Sequence, residues 1–252
     1  MLLLLAMLAS PIPGESRQMI LSMSAGWDET RAELQLYGRP SSGVAWTAVG
    51  APFAGSLGPA GLAWGRGLHP ERLAGPQKRE GDGKSPAGVF ELRVVTGYTD
   101  AAPAGTRMPY RQATSTLRCV DDARSTHYNR LADEATTTKD WSSSEDMRRP
   151  DDLYRFAVWV GHNDAPVAPG GGSCIFLHLR EGPQAVTAGC TAFEPESMEK
   201  LLLWLDPKAR PVLVQLPQAE HGARAAEWGL PAARPQGPGS PQYGAMKGAG
   251  RR

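Results

Sequence analysis

The alternation of apolar and polar residues predicts a chain made mainly of short β-strands. Runs rich in Val, Ile, Leu, Phe and Trp recur between stretches of glycine, proline and polar residues, as is typical of strands joined by turns. In the run 32–37 apolar and polar side chains alternate, which predicts a strand with one buried face. The predicted strands cover residues 19–23, 32–37, 44–49, 89–95, 156–160, 173–179 and 211–216, the third of them closed by Gly50 and Pro52. We therefore expect a mainly β fold, a β-sandwich or a mixed sheet.

One segment, 195–205, has the periodicity of an amphipathic helix. Met198, Leu201, Leu202 and Leu205 are spaced so that they share one face of a helix. Proline at 195 suits the first helical position, where the backbone N–H has no partner within the helix, and the acidic residues around it favour the positive end of the helix dipole. The proline at 207 ends the segment.

The ends of the chain are predicted to lie outside a single folded domain at 18–217. The apolar start is much shorter than the roughly 18 residues that span a bilayer, so we interpret 1–17 as a secretory leader and expect export. The last segment, 218–252, is rich in glycine and proline and has no apolar periodicity, which predicts a disordered tail. Within the domain, the polar stretch 113–152 is predicted to be a long loop over the sheet.

The composition is that of a folded protein with almost balanced charge. Of the 252 residues 41% are hydrophobic and 21% charged, so a sizeable core can form. Lys and Arg number 27 against 26 Asp and Glu, which argues against nucleic acid as a partner, because such binding needs clustered positive charge. Three cysteines are too few for a disulfide framework, and an odd number leaves at least one thiol unpaired.

The stretch Gly-Asp-Gly-Lys-Ser-Pro at 81–86 is similar to part of a phosphate-binding loop but lacks what such a loop requires. Lys78 stands where its first glycine belongs, and Pro86 would obstruct the helix that the loop must open. We interpret 81–86 as a turn that leads into the strand at 89–95, and we exclude nucleotide binding.

The strand predicted at 173–179 places one histidine apart from the core. Side chains alternate along a strand, so Ile175, Leu177 and Leu179 point towards an aliphatic core. His178 therefore lies on the opposite face, where a cleft can open.

Cys190 follows His178 by twelve positions, in a turn just before the predicted helix. A neighbouring imidazole that takes the proton of a thiol makes the sulfur a nucleophile, and a nearby helix N-terminus favours the thiolate. Gly189 allows a tight turn in which backbone N–H groups can face an oxyanion. These are the parts that an acyl-transfer site requires.

Two other interpretations of these residues stay open on spacing alone. A histidine in a strand is often a hydrogen-bonded structural residue, and a single cysteine is often a small buried side chain. A zinc site is less favoured because the sequence has no closely spaced ligand pair. Its ligands would come from Cys119, His127, His162, Cys174, His178 and Cys190.

The residues resemble the L,D-transpeptidase catalytic-domain family (YkuD-type), and within it a divergent branch of secreted bacterial members. The family signature is a histidine followed by a Ser/Thr-x-Gly-Cys turn, found here as His178 and Thr-Ala-Gly-Cys at 187–190. Further matching motifs occur in order at 61–65, 81–90, 119–122, 128–130 and 172–178. The resemblance covers about 62–216, and the fold that it implies has one helix after the nucleophile turn.

The resemblance implies a peptidoglycan enzyme. Such enzymes attack the amide after the third residue of a stem tetrapeptide and release the terminal D-alanine. They then pass the acyl group from cysteine to an amine of another stem, which forms a 3→3 cross-link, or to water. Carried over, Cys190 is the nucleophile, His178 the general base and later acid, and the backbone at Gly189 and Cys190 holds the oxyanion.

The resemblance also implies the setting of the site. We expect Ser173, Thr187, Asp121 and Asn163 to bind the stem peptide. No metal and no organic cofactor is implied. Peptidoglycan stem peptides are the expected partners, with no nucleic acid and no stable membrane span, and the expected protein is a monomer in the periplasm or at the cell wall.

Several positions depart from the common pattern and keep alternatives open. Leu179 and Ala192 replace the usual glycine after the histidine and the usual arginine after the cysteine. The acceptor could therefore be water, as in an L,D-carboxypeptidase, or the chain could be a peptidoglycan-binding module without activity. The segment 139–146 is unlike that expected near the cleft. Asp121, Asp122 or a backbone carbonyl could orient His178, and whether Cys119 pairs with Cys174 is not determined by the sequence.

Overall fold

The computed structural model describes residues 10–232, which form thirteen strands, two α-helices and one 3₁₀-helix. The strands are β1 Gln18–Ser24, β2 Arg31–Gly38, β3 Thr47–Ser56, β4 Leu62–Trp64, β5 Ser85–Gly97, β6 Tyr110–Gln112, β7 Leu117–Val120, β8 Leu131–Asp133, β9 Ser144–Asp146, β10 Phe156–Val160, β11 Phe176–Leu179, β12 Thr191–Phe193 and β13 Val212–Pro217. The α-helices are α1 Pro195–Trp204 and α2 Gln218–Trp228, and the 3₁₀-helix is Pro207–Ala209.

Ten strands form one mixed sheet, and eight of them close into a ring. The path runs β10–β11–β12–β3–β2–β1–β13–β5, and a further pairing of β5 with β10 joins its ends. The long strand β5 closes the ring, because its residues 88–91 pair with β13 and its residues 92–97 pair with β10. Within the ring most neighbours are antiparallel, but β1–β13 and β11–β12 are parallel, and outside it β4 and β6 each pair with β5 in parallel. The predicted mainly β, mixed-sheet fold is confirmed.

The alternation of side chains along β11 separates two apolar clusters. Ile175 and Leu177 belong to the large core, which also contains the buried face of α1. Phe176 points the other way, into a smaller cluster that includes Cys190. The predicted division of this strand into a core face and an opposite face is confirmed, and the opposite face carries the candidate chemistry.

Helix α1 forms where the sequence predicts it. Pro195 occupies its first turn, and Met198, Leu201 and Leu202 are buried on one face. Leu203 lies off this face and is 53% exposed. The helix follows β12 directly, so its packing fixes the chain on the C-terminal side of Cys190.

Each predicted strand has a counterpart, but three differ in their bounds, and one of these, β5, begins at Ser85, four residues before the predicted start. Those at 19–23, 32–37, 89–95, 156–160 and 211–216 correspond to β1, β2, β5, β10 and β13. The prediction that Gly50 and Pro52 close the third strand is wrong, since β3 runs on to Ser56. A register shift between Leu34 and Leu36 accommodates the extra residues, and the Gln35 side chain donates to the carbonyls of Val49 at 3.0 Å and Gly50 at 3.4 Å.

The strand predicted at 173–179 begins later, at Phe176. Cys174 has a φ of +56°, in the left-handed region, which interrupts the extended backbone. This bend matters for the site, because it turns the carbonyl oxygen of Cys174 towards the sulfur of Cys190.

The polar stretch 113–152 is not a featureless loop as predicted. It contains a second sheet, in which β7 pairs with β8 and β9 in antiparallel register. Leu117, Cys119 and Met147 bury their side chains against β10 and β11 residues. The strands are too short and too polar for an apolar pattern to reveal them, and their few buried side chains hold the sheet on the domain.

The prediction of a disordered tail from residue 218 is wrong for 218–228, which form α2. The helix ends at Gly229, which has a φ of +64°, and is held by Trp228, which is 2% exposed. The predicted leader at 1–17 is also too long, because residues 10–17 pack on the domain: Ile12 is buried in the large core, and Ser10 Oγ donates to the carbonyl of Trp228 at 2.7 Å. The parts of the predicted leader and tail at 1–9 and 233–252 lie outside the described residues.

Candidate active site

The turn that carries Cys190 is fixed by hydroxyl groups from both sides. The carbonyl oxygen of Cys190 accepts hydrogen bonds from Thr187 Oγ1 at 2.6 Å and Ser85 Oγ at 2.8 Å. The N–H of Gly189 donates to Thr187 Oγ1 at 3.1 Å. Gly189 has a φ of +151°, and a Cβ there would lie 3.0 Å from the carbonyl oxygen of Lys84, so glycine is required. The turn predicted at 81–86 leads into β5 but ends at Lys84, because Ser85 is already the first residue of the strand, where it contacts the nucleophile turn.

The sulfur of Cys190 is enclosed by three polar groups. The backbone N–H of Phe176 donates to Sγ at 3.3 Å, and the thiol lies 3.4 Å from the carbonyl oxygen of Cys174. The hydroxyl of Tyr154 is 4.0 Å away. Cys190 is the unpaired cysteine and only 6% exposed, so its thiol lies within the protein surface.

His178 lies on the same face of the sheet, one strand away. β11 and β12 are parallel with His178 opposite Ala192, so Cys190, directly before β12, lies beside Phe176, two residues before His178 on the same face. Nδ1 of His178 is 2.7 Å from the carbonyl oxygen of Leu179. A carbonyl can only accept, so Nδ1 carries the proton and Nε2 has the lone pair. Of the candidates for orienting His178, the backbone carbonyl is the one that does so.

Burial favours the neutral forms of both candidate groups, the His178 imidazole and the Cys190 thiol. It lowers the pKa of His178 to about 4, and the positive charge of Arg149 acts in the same direction. Burial raises the pKa of Cys190 to about 12, with a further contribution from the negative charge of Glu145. The lowered thiol pKa expected from the approach to a helix N-terminus is therefore not found, because desolvation outweighs it and α1 begins only at residue 195.

Tyr154 connects the two candidate groups and was not predicted. Its ring packs edge-to-face on the His178 imidazole with centroids 4.9 Å apart. Its hydroxyl donates to Glu145 Oε2 at 2.7 Å. Burial raises the pKa of Glu145 to about 7 and that of Tyr154 well above its usual value. Glu145 lies within 139–146, the segment whose sequence departs from the family pattern.

The four predicted substrate-binding residues have different surroundings. Ser173 Oγ donates to Glu80 Oε2 at 2.7 Å, and Thr187 holds the nucleophile turn. Asp121 Oδ1 is buried without a hydrogen-bond partner among residues 10–232, and its charge raises the pKa of Glu145. The structure therefore places Thr187 in the nucleophile turn and Ser173 directly before Cys174, whereas Asp121 acts on Glu145 through its charge.

Asn163 is engaged in its own loop. Its Nδ2 donates to the carbonyls of Ala168 and Gly172, both at 2.9 Å, and its Oδ1 accepts from the N–H of Ala168 at 2.9 Å. It is 1% exposed. Its amide thus maintains the loop before β11, and no group of it is left for a stem peptide.

The other two cysteines form a disulfide. Cys119 and Cys174 are joined, with Cα atoms 5.9 Å apart. The bond links β7 of the small sheet to the residue whose carbonyl contacts Sγ of Cys190. Neither disulfide sulfur is available as a zinc ligand in this state. Of the three cysteines among the candidate zinc ligands, Cys190 is therefore the one that still has a free thiol.

A mainly β domain with a thiol and an imidazole on one face of adjacent strands defines a candidate cysteine acyl-transfer site. A family model for the L,D-transpeptidase catalytic domain, YkuD, matches residues 49–214. The chain therefore belongs to this family, as the sequence motifs indicate, and the family acts on peptidoglycan. Searches of curated proteins and of solved structures returned no match. No helix within residues 10–232 has the length and apolar character needed to cross a membrane.

Proposed function

We propose that the protein is a peptidoglycan L,D-transpeptidase that forms a thioester between Cys190 and a stem tetrapeptide. The observation that carries the proposal is the position of Cys190, directly before β12, on the side of the sheet where β11 carries His178, within an L,D-transpeptidase catalytic domain. The hydrogen bond from Nδ1 to the Leu179 carbonyl supports His178 as a base, since it leaves the Nε2 lone pair to receive a proton.

In the acylation step, the proton of the Cys190 thiol moves to Nε2 of His178 as sulfur bonds to the carbonyl carbon of the third stem residue. The amide C–N bond to D-alanine then breaks, and His178 returns the proton to the leaving nitrogen. In the transfer step, an acceptor amine attacks the thioester, the C–S bond breaks, and the proton lost by the amine passes through His178 to sulfur. Atoms and protons balance without any cofactor.

Burial of both groups sets a condition on this mechanism. The pair is neutral in the unliganded protein, so the proton moves only when substrate is in place and the developing oxyanion is stabilised. Because the N–H of Gly189 is bonded to Thr187, we assign the oxyanion contact to the N–H of Cys190. Opening of the nearly closed site around Tyr154 precedes substrate binding.

Water is the second candidate acceptor. Ala192 stands where common family members carry arginine, and it is 1% exposed beside His178. The site thus lacks a cation at this position to hold a second stem peptide, which favours an L,D-carboxypeptidase. The two candidates share the cysteinyl intermediate and differ only in what removes the acyl group.

We infer that the setting follows from the substrate: an exported monomer in the periplasm or at the cell wall, with peptidoglycan stem peptides as its partners. The apolar start of the chain supports export. The balance of 27 basic against 26 acidic residues supports the absence of a nucleic-acid partner.

The decisive experiment is intact-mass spectrometry after incubation with a disaccharide-tetrapeptide. We expect an acyl adduct on wild-type protein, release of D-alanine, and loss of both in Cys190→Ala and His178→Gln. His127→Gln, a histidine outside the site that packs on Trp141, is the matched control and should react normally. Cross-linked dimer indicates transfer to an amine, whereas tripeptide alone at high acceptor concentration indicates transfer to water. Absence of any adduct with retained peptidoglycan binding would identify a binding module and overturn the proposal.

A further inference from the structure

Three polar groups form a chain that ends at the candidate nucleophile. Glu145 Oε2 accepts the hydroxyl proton of Tyr154 at 2.7 Å, and the same Tyr154 oxygen lies 4.0 Å from Sγ of Cys190. A hydroxyl has one proton to donate, so in this arrangement Tyr154 directs that proton to Glu145 and presents only its lone pair to the thiol. Cys190 and Glu145 thus compete for the same hydroxyl.

The fold fixes the positions of Glu145, Tyr154 and Cys190 relative to one another. Glu145 lies on β9, opposite Cys119 of β7, and the Cys119–Cys174 disulfide ties β7 to the bend whose carbonyl contacts Sγ. Tyr154 precedes β10 directly, and its ring packs on Phe176 and on His178. The small sheet within 113–152 therefore places a carboxyl group at the same Tyr154 hydroxyl that lies near the sulfur.

We propose that Tyr154 is a further catalytic residue and that Glu145 is its positioning residue, which together set the ease with which Cys190 becomes a thiolate. When Glu145 carries a proton, it donates to the Tyr154 oxygen, and Tyr154 turns its own O–H towards Sγ. When Glu145 is ionised, it accepts a hydrogen bond from the Tyr154 hydroxyl, and its negative charge disfavours a second negative charge on the sulfur of Cys190. The inference rests on the proposed function, in which Cys190 is the nucleophile and His178 takes its proton.

The proton count is simple. Glu145 takes up one proton from solvent, and the hydrogen bonds between Glu145, Tyr154 and Cys190 then reverse their direction with no covalent bond to carbon or sulfur changed. The thiol proton still passes to Nε2 of His178 during acylation. Tyr154 contributes a donated hydrogen bond to the sulfur anion, which is stronger than one to a neutral thiol.

The groups around Glu145 place the ionisation of its carboxyl near neutral pH. Burial raises the pKa of Glu145 to about 7, the hydrogen bond from Tyr154 opposes the rise, and Asp121 and Glu80 add to it while Arg149 lowers it. On the sulfur side, the charge of Lys78 lowers the thiol pKa and that of Glu145 raises it. Glu145 is therefore the group at the site that changes charge in the range where the enzyme would work.

Titration of the thiolate by its ultraviolet absorbance, as the difference from Cys190→Ser, tests the inference without any substrate. Glu145→Gln carries an amide N–H that can donate to the Tyr154 oxygen, so we expect the thiol pKa to fall by about one unit, which is about tenfold more thiolate at a fixed pH below the pKa. Tyr154→Phe alone should leave the thiol pKa close to that of wild type, because ionised Glu145 already holds the Tyr154 hydroxyl at the pH where the thiol titrates. In the double variant most of the gain from Glu145→Gln should be lost, since Phe has no hydroxyl to turn.

Tyr128→Phe is the matched control, because Tyr128 is another buried tyrosine that donates to a glutamate, the exposed Glu80, and makes no hydrogen bond to Sγ. Its thiol titration should equal that of wild type. If Glu145→Gln lowers the thiol pKa equally with and without the Tyr154 hydroxyl, Glu145 acts on the thiol through its charge alone, and the inference is overturned. No fall at all would overturn it as well.

The acylation rate gives a second measurement. In wild type the rate of adduct formation should lose a component as pH rises through the ionisation of Glu145, and Glu145→Gln should lack that component while retaining a similar KM. If no variant forms an adduct but the thiol titrations differ as expected, the proposed function fails and the inference about the thiol stands. If adducts form normally in Tyr154→Phe over the whole pH range, the inference fails and the proposed function stands.

Discussion

The side-chain oxygen of Asn129 accepts a hydrogen bond from the backbone N–H of Cys174 at 2.9 Å. Its Nδ2 donates to the carbonyls of His162 at 2.9 Å and Asn163 at 2.8 Å. One buried amide thus joins three segments: the chain between β7 and β8, the loop after β10, and the bend before β11. Because that bend presents its carbonyl to Sγ of Cys190, Asn129 supports the site from a distance.

Replacement of Asn129 should therefore destabilise the protein. We expect Asn129→Ala to lower the free energy of unfolding by on the order of 2–4 kcal/mol, since three buried backbone groups lose their partner. Asn129→Asp should be at least as harmful, because a carboxylate cannot donate to the two carbonyls. Urea unfolding measures both. Gln112→Ala, at an exposed position on β6, is the control and should change stability by less than about 0.5 kcal/mol.

The Cys119–Cys174 disulfide should stabilise the fold and the site together. It closes a loop with a sequence separation of 55, for which loop-closure entropy predicts about 4 kcal/mol. We expect Cys119→Ala/Cys174→Ala to unfold at a lower urea concentration than wild type and to lose acylation by Cys190. A reducing agent should weaken wild type but leave the double variant unchanged. Equal stability of the two proteins would show that the small sheet is held by other contacts.

The fold class and the place of the candidate pair on the sheet could be predicted because each depends on local pattern. The alternation at 173–179 separates His178 from Leu177 and Leu179, and the structure keeps that separation. Glycine before Cys190 indicates a tight turn, which has the required positive φ. These features need no knowledge of which strands are neighbours.

Tyr154, Glu145 and Ser85 could not be predicted in the same way. They come from three separate parts of the chain and meet only because β9, β10 and the start of β5 converge on the Cys190 turn. The carbonyl that orients His178 carries no sequence signal, since every residue has one. The thiol pKa was also beyond prediction, because it depends on burial that spacing does not reveal.

Helix α2 has no apolar stripe in its sequence, and few side chains, among them Trp228, hold it on the domain. Trp228 packs against Trp64 with ring centroids 6.4 Å apart and against His69 at 6.1 Å. We expect Trp228→Ala to cost about 3–5 kcal/mol of stability, and truncation after residue 217 to cost at least as much. Leu203→Ala removes a large but exposed side chain of α1 and should be nearly neutral. Thermal or urea unfolding of the three variants decides whether α2 is an integral part of the domain.

Acid should destabilise the protein through its buried histidines. Burial lowers the pKa of His69 and His178 to about 4 and that of His162 to about 3, against 6.5 in the unfolded chain. Between these values the unfolded chain binds more protons than the folded one, so stability is lost as pH falls from 6.5 towards 4. Each of these three histidines should lower the free energy of unfolding by on the order of 1–2 kcal/mol at about pH 5.

Glu145 acts with the opposite sign, which provides an internal check. Its folded pKa of about 7 lies above the 4.5 of the unfolded chain, so it adds stability at low pH that is lost as pH rises through 7. Three histidines outweigh one glutamate, and we expect the urea midpoint to fall from about pH 7 to about pH 5. His69→Gln should flatten this dependence, whereas Glu145→Gln should steepen it, because the term that offsets the histidines is removed. A midpoint that rises on acidification would mean that the imidazoles are charged in the folded state, and the assignment of Nε2 of His178 as the proton acceptor would then be untenable.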